Sequence, residues 1–414
     1  MKIVRKSMLL AISAMTITAC SSNNDEPEVP GGNDKNTRVD ITLTAAQESA
    51  LADQNEFALT LYSSISNEIK DKNIFLSPIS VANVLTMISN GAEGNSYSQI
   101  AEALGGDAAS TGSLNKVLLS KIASIDKTTA LSISNSIWTD YSFDFKDSFK
   151  KVNEENSNAE FFKADLSSFD AVNSINSWCD KNTNGMIKQF LFAPPCCNIA
   201  FFNAIYFKGV WSRKFSKSET KVSVFYNSDG SSSSPYTMHQ TSQFEYAESG
   251  ETKAIKLPYG NGAFNMIIAM NENGDVNLKD VLGKTVTFVS RKVDFKLPKF
   301  EIENTIAPKV LVNAIEKCGV TDIFDAKKAN LTGITDLNTS IGCIAQKAVV
   351  KVDETGTEAA AVTGGWDGAD AGEIQLPVKF YINHPFTFVI QESSTGAILF
   401  IGKVNKLLLS AKLF

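Results

Sequence analysis

Apolar residues recur every three or four positions in three stretches of the first half of the chain. This spacing places them on one face of an α-helix, so it predicts three amphipathic helices. The second helix follows the sequence SPIS and should end near Gly91, and the third should span residues 170–188. Their buried faces are Phe57, Leu61, Ile65 and Ile69; Val81, Val84, Leu85 and Ile88; and Val172, Ile175, Trp178 and Cys179.

The hydrophobic period shortens in the second half, where apolar and polar residues alternate or form short apolar runs. Such segments favour β-strands. Helices early and strands late, without a strand–helix–strand alternation, favour an α+β fold. Because no composition break or repeat follows Thr42, residues 42–414 are predicted to form one domain. The predicted strands are FNMIIAM (264–270), VDFKLPKFEIE (293–303), FTFVI (386–390) and AILFIGKV (397–404).

The N-terminus has the features of a targeting segment. Three cations precede the apolar run 8–17, which is too short to span a bilayer and ends in ITAC. This ending resembles the lipobox of bacterial lipoproteins, which implies a signal peptide over residues 1–20 and lipidation of Cys20. The alternative is an ordinary signal peptide with a chance cysteine.

Residues 21–41 are polar, acidic and rich in Pro and Gly near their start, so they are predicted to form a flexible tether. The acidic patch behind Cys20 resembles the surface-export signals of some Gram-negative lipoproteins. The expected location is therefore the outer membrane or cell surface of a Gram-negative bacterium, with the domain extracellular or periplasmic. The only membrane contact expected is through the N-terminal lipid.

Charge and cysteine usage exclude several classes of function. The 414 residues carry a net charge of −6 and no block of Lys or Arg, so nucleic-acid binding is not expected. Five cysteines besides Cys20 contain no C-x-x-C pair, which argues against a zinc site or a disulfide framework. Adjacent Cys196 and Cys197 suggest either a strained disulfide or, as favoured here, buried thiols.

The sequence offers little catalytic chemistry. Its two histidines, His239 and His384, are too few for a histidine metal cluster, and no H-E-x-x-H or G-x-S-x-G motif is present. His384 precedes a strand and is expected to be structural, while His239 is expected in a polar stretch at a sheet edge. The glycine-rich GGNDK and GGWDG lack the Walker ending. No metal, cofactor or enzymatic activity is therefore predicted.

Several segments in order along the chain resemble those of the serpins, the serine protease inhibitor family. The resemblance implies a serpin fold, with mixed helices, three β-sheets and an exposed reactive-centre loop near the C-terminus. It further implies that the loop can enter the central sheet as a strand. The segments are NIFLSPISVANVLTMISNGAEGNSYSQIAEAL (73–104), FFNAIYFKGVW (201–211), IKLPYGNGAFNMIIAM (255–270), LPKFEIE (297–303), KAVVKVDETGTEAAA (347–361) and NHPFTFVI (383–390).

The stretch DETGTEAAAVTGGWDGADAG (353–372) corresponds to the hinge and loop of that family. In a strand, alternate side chains face opposite sides. The inward side would carry Thr357, Ala359, Ala361 and Thr363, which are small or β-branched, without the proline, charge or bulk often found in non-inhibitory members. Asp367 also falls inward and is costly if fully buried. The predicted hinge comprises Glu354, Gly356, Thr357, Glu358, Ala359, Ala360 and Ala361.

The resemblance implies two further groups of residues around the central sheet. In the breach, at the root of the loop, Glu354 should pair with Lys299, and Trp211 should pack at the same end. In the shutter beneath the sheet, Ser77, Ser80 and Asn203 match the family pattern. Gln346 replaces the usual histidine, and since an amide both donates and accepts, altered opening energetics are expected.

The family's usual spacing places the scissile bond at Asp370–Ala371, with Ala369 and Trp366 as alternative cleavage residues. Small residues there suit an extracellular elastase- or subtilisin-like serine protease as partner. The expected function is irreversible suicide inhibition of serine endopeptidases, with cysteine endopeptidases as a second target class. The alternatives are a non-inhibitory surface binding protein of the same fold and a carbohydrate- or peptide-handling surface lipoprotein; the histidine count and hinge pattern oppose the latter.

Overall fold

The computed structural model describes residues 36–283, 286–356 and 376–407, except the side chains of residues 108, 304 and 305. From residue 36 onward the chain forms one compact unit. Residues 36–41, which the sequence assigns to the tether, contact that unit. Asn36 donates to Asp126 Oδ1 at 2.7 Å, and Ile41 is buried.

Eight α-helices occur in the described part of the chain. The predicted first helix begins at Ala45, where Thr44 and Gln47 form a capping box that satisfies free backbone N–H groups. The second begins after Ser77 with Pro78 at its first position, and its whole surface is buried. The helices are α1 (Ala45–Glu68), α2 (Pro78–Ser89), α3 (Gly94–Leu104), α4 (Ala108–Ile122), α5 (Asp147–Ser157), α6 (Phe169–Asn182), α7 (Leu278–Leu282) and α8 (Pro308–Lys317).

The third predicted helix is shorter than the sequence indicated. It was expected over residues 170–188, but α6 ends at Asn182. Asn184 and Gly185 adopt positive φ angles of 52° and 78°, which a right-handed helix does not accommodate. Ile187, Phe190 and Leu191, which follow, are buried without helical structure.

The described strands form three β-sheets, which agrees with the fold class expected from the sequence. The largest has nine strands in the order β1-β16-β15-β10-β9-β8-β11-β14, with β5 attached to β8. The central sheet has five strands in the order β12-β13-β4-β2-β3, and β6 pairs with β7. The strands are β1 (Ile74–Leu76), β2 (Ala130–Thr139), β3 (Ala159–Lys163), β4 (Ile199–Lys208), β5 (Lys221–Val222), β6 (Phe225–Tyr226), β7 (Ser232–Ser233), β8 (Tyr236–Ser249), β9 (Thr252–Tyr259), β10 (Phe264–Asn271), β11 (Val289–Pro298), β12 (Phe300–Thr305), β13 (Cys343–Val352), β14 (Val378–Tyr381), β15 (Phe386–Glu392) and β16 (Ile398–Val404).

The predicted strand 293–303 is in fact two strands in different sheets. β11 ends at Pro298 in the nine-stranded sheet, and β12 begins at Phe300 in the central sheet. Lys299 lies between them, and its backbone N–H donates to Tyr236 O at 2.8 Å. Apolar residues occupy positions 293, 295 and 297 before this corner and positions 300 and 302 after it. The alternation therefore shifts by one residue at Pro298–Lys299, a signal that the prediction of a single strand did not use. The corner places Lys299 where the two sheets meet.

The two faces of the central sheet pack against different helices. Phe202 and Ala204 of β4 belong to the hydrophobic cluster that contains Ile175 of α6. Phe201, which points the other way, belongs to the cluster that contains Val84 of α2. The central sheet is therefore covered on both faces.

Two further expectations from the sequence hold in part. β8 lies between β9 and β11, but its ladder with β9 covers only Glu245–Ser249. Among the described strands, His239 is therefore paired on the β11 side alone, which is the edge position expected for it. The expectation of buried thiols holds for Cys179 and Cys343 but not for Cys196, which is exposed; Cys197 is half-buried. All five cysteines of the described part are free.

Within residues 36–283, 286–356 and 376–407, no group of His, Cys, Asp and Glu side chains is arranged to hold a metal ion. No helix in these ranges combines the length and apolar character needed to cross a membrane.

Candidate functional site

The central strands β4 and β13 are parallel, and their pairing is incomplete. The ladder runs from Ala200↔Cys343 to Tyr206↔Val349. β13 continues to Val352 and β4 to Lys208, but these last residues are not paired with each other. The two strands thus part at the end nearest the hinge.

A tight turn at that end begins with Asp353. Its backbone N–H donates to Gly356 O at 2.9 Å, and Gly356 N–H donates back to Asp353 O at 3.3 Å. The Asp353 carboxylate accepts from the backbone N–H and the hydroxyl of Thr355 at 2.8 and 2.6 Å. Aspartate first and glycine fourth is a common turn signature, so the sequence DETG contained a signal for this turn.

Gly356 also bridges Val210, just past the end of β4. Its φ angle is +137°, and an added Cβ would lie 2.2 Å from Gly209 O and 2.7 Å from Trp211 N. Both neighbours are backbone atoms, so no rotamer change relieves the overlap. Only glycine fits this position in the intact molecule.

The structure brings Lys299 and Glu354 together. Lys299 Nζ lies 3.0 Å from Glu354 Oε2, and the side chains are only 18% and 6% exposed. The hydroxyl of Thr220 donates to Glu354 Oε1 at 2.8 Å. Burial acts to raise the pKa of Glu354, but the hydrogen bonds from Lys299 and Thr220 outweigh it and hold the pKa below its ordinary value. Thr220 was not anticipated, since its sequence context carries no motif.

Trp211 lies at the same end of the sheet. Its indole N–H donates to Asp353 O at 3.0 Å, and its backbone N–H donates to Thr355 O at 2.9 Å. The buried indole stacks on Tyr259 with ring centroids 4.4 Å apart. Trp211 therefore holds the turn against the parted ends of β4 and β13.

Beneath the sheet, Gln346 of β13 is bound to the start of α2. Its Oε1 accepts from Ser77 N–H at 2.7 Å, and its Nε2 donates to Ser77 O at 2.8 Å. The Ser77 hydroxyl donates to Leu399 O at 2.7 Å and lies 3.1 Å from Ser80 Oγ. All these groups are buried, so Gln346 satisfies the Ser77 backbone with both ends of its amide.

Asn203 lies beside this group but forms no side-chain hydrogen bond to it within the described residues. Its Cα is paired with that of Gln346 in the ladder. Its Nδ2 donates instead to Asn135 Oδ1 on β2 at 2.8 Å. Its Oδ1 is buried and has no hydrogen-bond partner in the described part of the chain. The sequence did not predict Asn135 as the partner of Asn203, because the cross-strand register determines which side chains lie opposite each other.

The remaining predicted site residues lie outside the described residues. They are Thr357, Glu358, Ala359, Ala360 and Ala361 of the hinge; Asp370, Ala371, Ala369 and Trp366 of the cleavage region; and Cys20.

Both histidines form contacts within the fold. His239 Nε2 lies 2.7 Å from Asp294 Oδ1, and the Tyr381 hydroxyl donates to Asp294 Oδ2 at 2.6 Å. His384 Nδ1 donates to Asn383 Oδ1 at 2.8 Å, and its ring stacks on Tyr226. These contacts tie strands and turns together.

Comparison with known proteins identifies relatives over nearly the whole length of the described chain. A family model described as "Serpin (serine protease inhibitor)" matches residues 52–407. Serpin-Z7 of Hordeum vulgare is 30% identical over 393 residues, covering 88% of this chain and 98% of that protein. Leukocyte elastase inhibitor A of Mus musculus is 29% identical over 373 residues, covering 84% of this chain and 97% of its own length.

Solved structures show the same architecture. The crystal structure of a thermophilic serpin, tengpin, in the native state superposes with a TM-score of 0.77 at 27% identity. The match covers 89% of this chain and 96% of that one.

Proposed function

The chain belongs to the serpin family, whose members are in general protease inhibitors and not enzymes, and we propose that it is an irreversible suicide inhibitor of serine endopeptidases. The observation that carries this proposal is the position of Gly356. This residue bridges both Val210 and Asp353, each four residues beyond the last β4–β13 pair, Tyr206↔Val349. In the proposed reaction it is the first residue of a strand that extends between β4 and β13.

The proposed reaction begins when the nucleophilic serine of the target attacks a carbonyl of the loop. The peptide bond breaks, an ester forms between the protease and the new C-terminal residue, and the amine leaves with the proton that the protease's general base had taken. The loop, now free at one end, enters the sheet from Gly356 onward. The attached protease is carried with it and deformed before water hydrolyses the ester.

The loop sequence supports insertion. The residues predicted to face inward near the hinge, Thr357, Ala359 and Ala361, are small enough to be buried under a covered sheet. Cleavage at Asp370–Ala371, or at the alternatives Ala369 and Trp366, leaves a segment long enough to run the length of β4. Small residues at the bond suit elastase- or subtilisin-like targets, and cysteine endopeptidases are a second class to test.

The non-inhibitory alternative has one specific feature in its favour. Asp367 falls on the inward side near the end of the loop, and burying a carboxylate without a partner is costly. If that cost stops insertion early, the protein would be cut without trapping its protease and would act as a binding module.

The proposal is tested by incubating the protein with elastase-, subtilisin- and chymotrypsin-like proteases and separating the products on denaturing gels. A covalent complex that survives denaturation is expected, and the mass of the released C-terminal peptide identifies the scissile bond. Cleavage without a complex for every protease would support the non-inhibitory alternative.

Matched variants connect trapping with insertion. In Thr357→Arg, a charged side chain faces inward at the first step, so the protein should become a substrate that is cut without trapping. In Glu358→Arg, the same side chain faces outward, and trapping should persist. Equal trapping by the Thr357→Arg variant and wild type would refute insertion as the trapping step.

We further propose that Cys20 carries a lipid and that the domain is displayed on the outer membrane or cell surface of a Gram-negative bacterium. The ITAC sequence and the acidic stretch behind it support this location. Cys20→Ala should move the protein from the membrane fraction to the soluble fraction; unchanged fractionation would contradict lipid anchoring.

A further inference from the structure

The central sheet ends at β3, and the outer side of this strand is open among the described strands. β3 is the last strand in the sheet order and pairs with β2 alone. Ala164 N–H, just past its end, donates to Thr139 O on the β2 side at 3.0 Å. In a parallel pair, residues whose backbone groups bond to the neighbouring strand alternate with residues whose groups point away. The N–H and C=O groups of Phe161 and Lys163 therefore point to the open side.

A groove of about 640 Å³ lies beside this edge, between β3 and α6. Its β3 wall contains Glu160 and Phe162, and its α6 wall contains Ala171 and Trp178. Phe162 is half-buried and stacks on the buried Trp138 with ring centroids 4.3 Å apart. The floor of the groove is therefore apolar.

An open strand edge next to such a groove has the two features needed to bind an extended peptide. Backbone groups at the edge form main-chain hydrogen bonds with the added chain, and a pocket for alternate side chains selects its sequence. A chain paired with β3 would lie about 4.8 Å from it and direct every second side chain to the α6 side. Those side chains would enter the groove.

The rim of the groove carries three carboxylates, those of Glu160, Asp165 and Asp170. Glu160 Oε1 accepts from the indole N–H of Trp178 at 2.8 Å. The indole is neutral, so this hydrogen bond fixes the carboxylate in place without compensating its charge. Anionic groups therefore surround the apolar floor.

The lysines of the groove do not balance these charges. Lys163 is paired with Asp144, which lies outside the groove lining. Lys181 is the second lysine in the lining and offsets one of the three carboxylates. The groove thus has an excess of negative charge, which complements a basic ligand.

We propose that the groove between β3 and α6 binds an extended, basic peptide segment of a partner protein. The segment pairs with β3 as an additional edge strand. One apolar side chain occupies the groove, and Lys or Arg side chains on the same side of the segment lie against the carboxylates of the rim. The proposal is independent of protease inhibition, because it involves neither the loop nor a protease.

The test uses a fluorescein-labelled peptide, Thr-Lys-Thr-Leu-Thr-Lys-Thr, and measures its fluorescence anisotropy with the intact protein. In a strand, its lysines and leucine lie on one side and its threonines on the other. Saturable binding that weakens as the salt concentration rises is expected. The same peptide with glutamate in place of lysine should bind at least about tenfold more weakly, because its charges repel the rim.

Two methylated peptides test the main-chain pairing with wild-type protein. One carries N-methyl groups on the threonine amides, and the other carries them on the lysine and leucine amides. In an antiparallel pairing the threonine amides face β3, and in a parallel pairing the other set does. One of the two peptides should therefore lose binding, and the other should retain it.

Two variants at one position test the same contact from the protein side. Lys163→Pro and Lys163→Ala both remove the ammonium group, but proline also removes the N–H that points to the open side. Edge strands tolerate proline where the N–H is not part of the ladder, so pairing with β2 should persist. Lys163→Pro should bind the peptide at least about fivefold more weakly than Lys163→Ala. Lys163→Ala should bind it at least as tightly as wild type does.

A charge reversal tests the acidic rim. Asp170→Lys should weaken binding of the lysine peptide and strengthen binding of the glutamate peptide. The proposal is overturned if the lysine peptide does not bind saturably, if the lysine and glutamate peptides bind equally, or if both methylated peptides bind like their parent. Self-association of the protein that Lys163→Pro abolishes would also overturn it, because the edge would then pair with a second copy of the chain.

Discussion

Replacing Gly356 with alanine should destabilise the intact protein and spare the cleaved one. In the intact structure an added Cβ would lie 2.2 Å from Gly209 O, and the backbone has a φ angle of +137°. A non-glycine residue in such a conformation costs about 1–3 kcal/mol. Relief of the overlap requires the turn to move, which weakens the pairing of Gly356 with Asp353 and of Trp211 N–H with Thr355 O at 2.9 Å.

Each weakened hydrogen bond adds about 1 kcal/mol, so the intact form should lose about 3–4 kcal/mol. A folded unit of about 370 residues has an unfolding entropy near 0.8 kcal/mol/K, which converts this loss into a Tm decrease of about 4–5 °C. In an inserted strand the backbone is extended, and alanine fits without strain. The cleaved form should therefore keep its Tm.

Differential scanning calorimetry of both forms measures these shifts. Gly262→Ala is the matched control, because Gly262 also has a positive φ of +85° but no atom within 4 Å of an added Cβ. It carries only the backbone cost of about 1–3 kcal/mol and should lower the Tm of both forms equally, by about 1–4 °C. A Gly356→Ala protein whose two forms shift equally, or not at all, would refute the idea that the turn at Gly356 exists only in the intact state.

Two further predictions concern the buried ion pair. Lys299→Met leaves Glu354 buried without its cation and should destabilise the intact protein by about 3 kcal/mol by thermal unfolding, whereas Lys299→Met/Glu354→Leu should recover most of the loss. Lys150→Met, which breaks an exposed pair with Asp147, should leave the Tm nearly unchanged. A double variant no better than the single one would contradict this. Because the pKa of Glu354 lies below its ordinary 4.5, its ionised form stabilises the intact fold above pH 4.5, and this contribution is lost as the pH falls through the folded-state pKa. The stability advantage of wild type over Glu354→Gln in urea unfolding should therefore be present at pH 7 and shrink as the pH falls below 4.5; a constant difference would show that Glu354 does not titrate in this way.

The hydrophobic pattern predicted most helices and strands, because it depends on residues that are close together in the sequence. The apolar stripe from Phe57 to Ile65 lies within α1, and the largely apolar run 264–270 lies within β10. Predictions failed where tertiary contacts decide. At Lys299 the alternation shifts by one residue, but this shift does not indicate that the two halves join different sheets.

The sequence predicted most of the residues that form the candidate site, but it predicted few of the contacts between them. Family resemblance pointed to Lys299, Glu354, Trp211 and Gln346, and the structure shows which contacts they form. It did not indicate that Gln346 would bind the Ser77 backbone, or that Asn203 Oδ1 would have no donor among the described residues. Both depend on the register of β4 against β13, which no local sequence feature encodes.

The central claim is that the intact fold is metastable and that cutting the loop lets it join the β4–β13 gap as a new strand. Thermal unfolding of wild-type protein before and after limited proteolysis in the loop tests this claim most directly. The cleaved form should unfold at a clearly higher temperature than the intact form. A cleaved form that unfolds at the same or a lower temperature would contradict the claim.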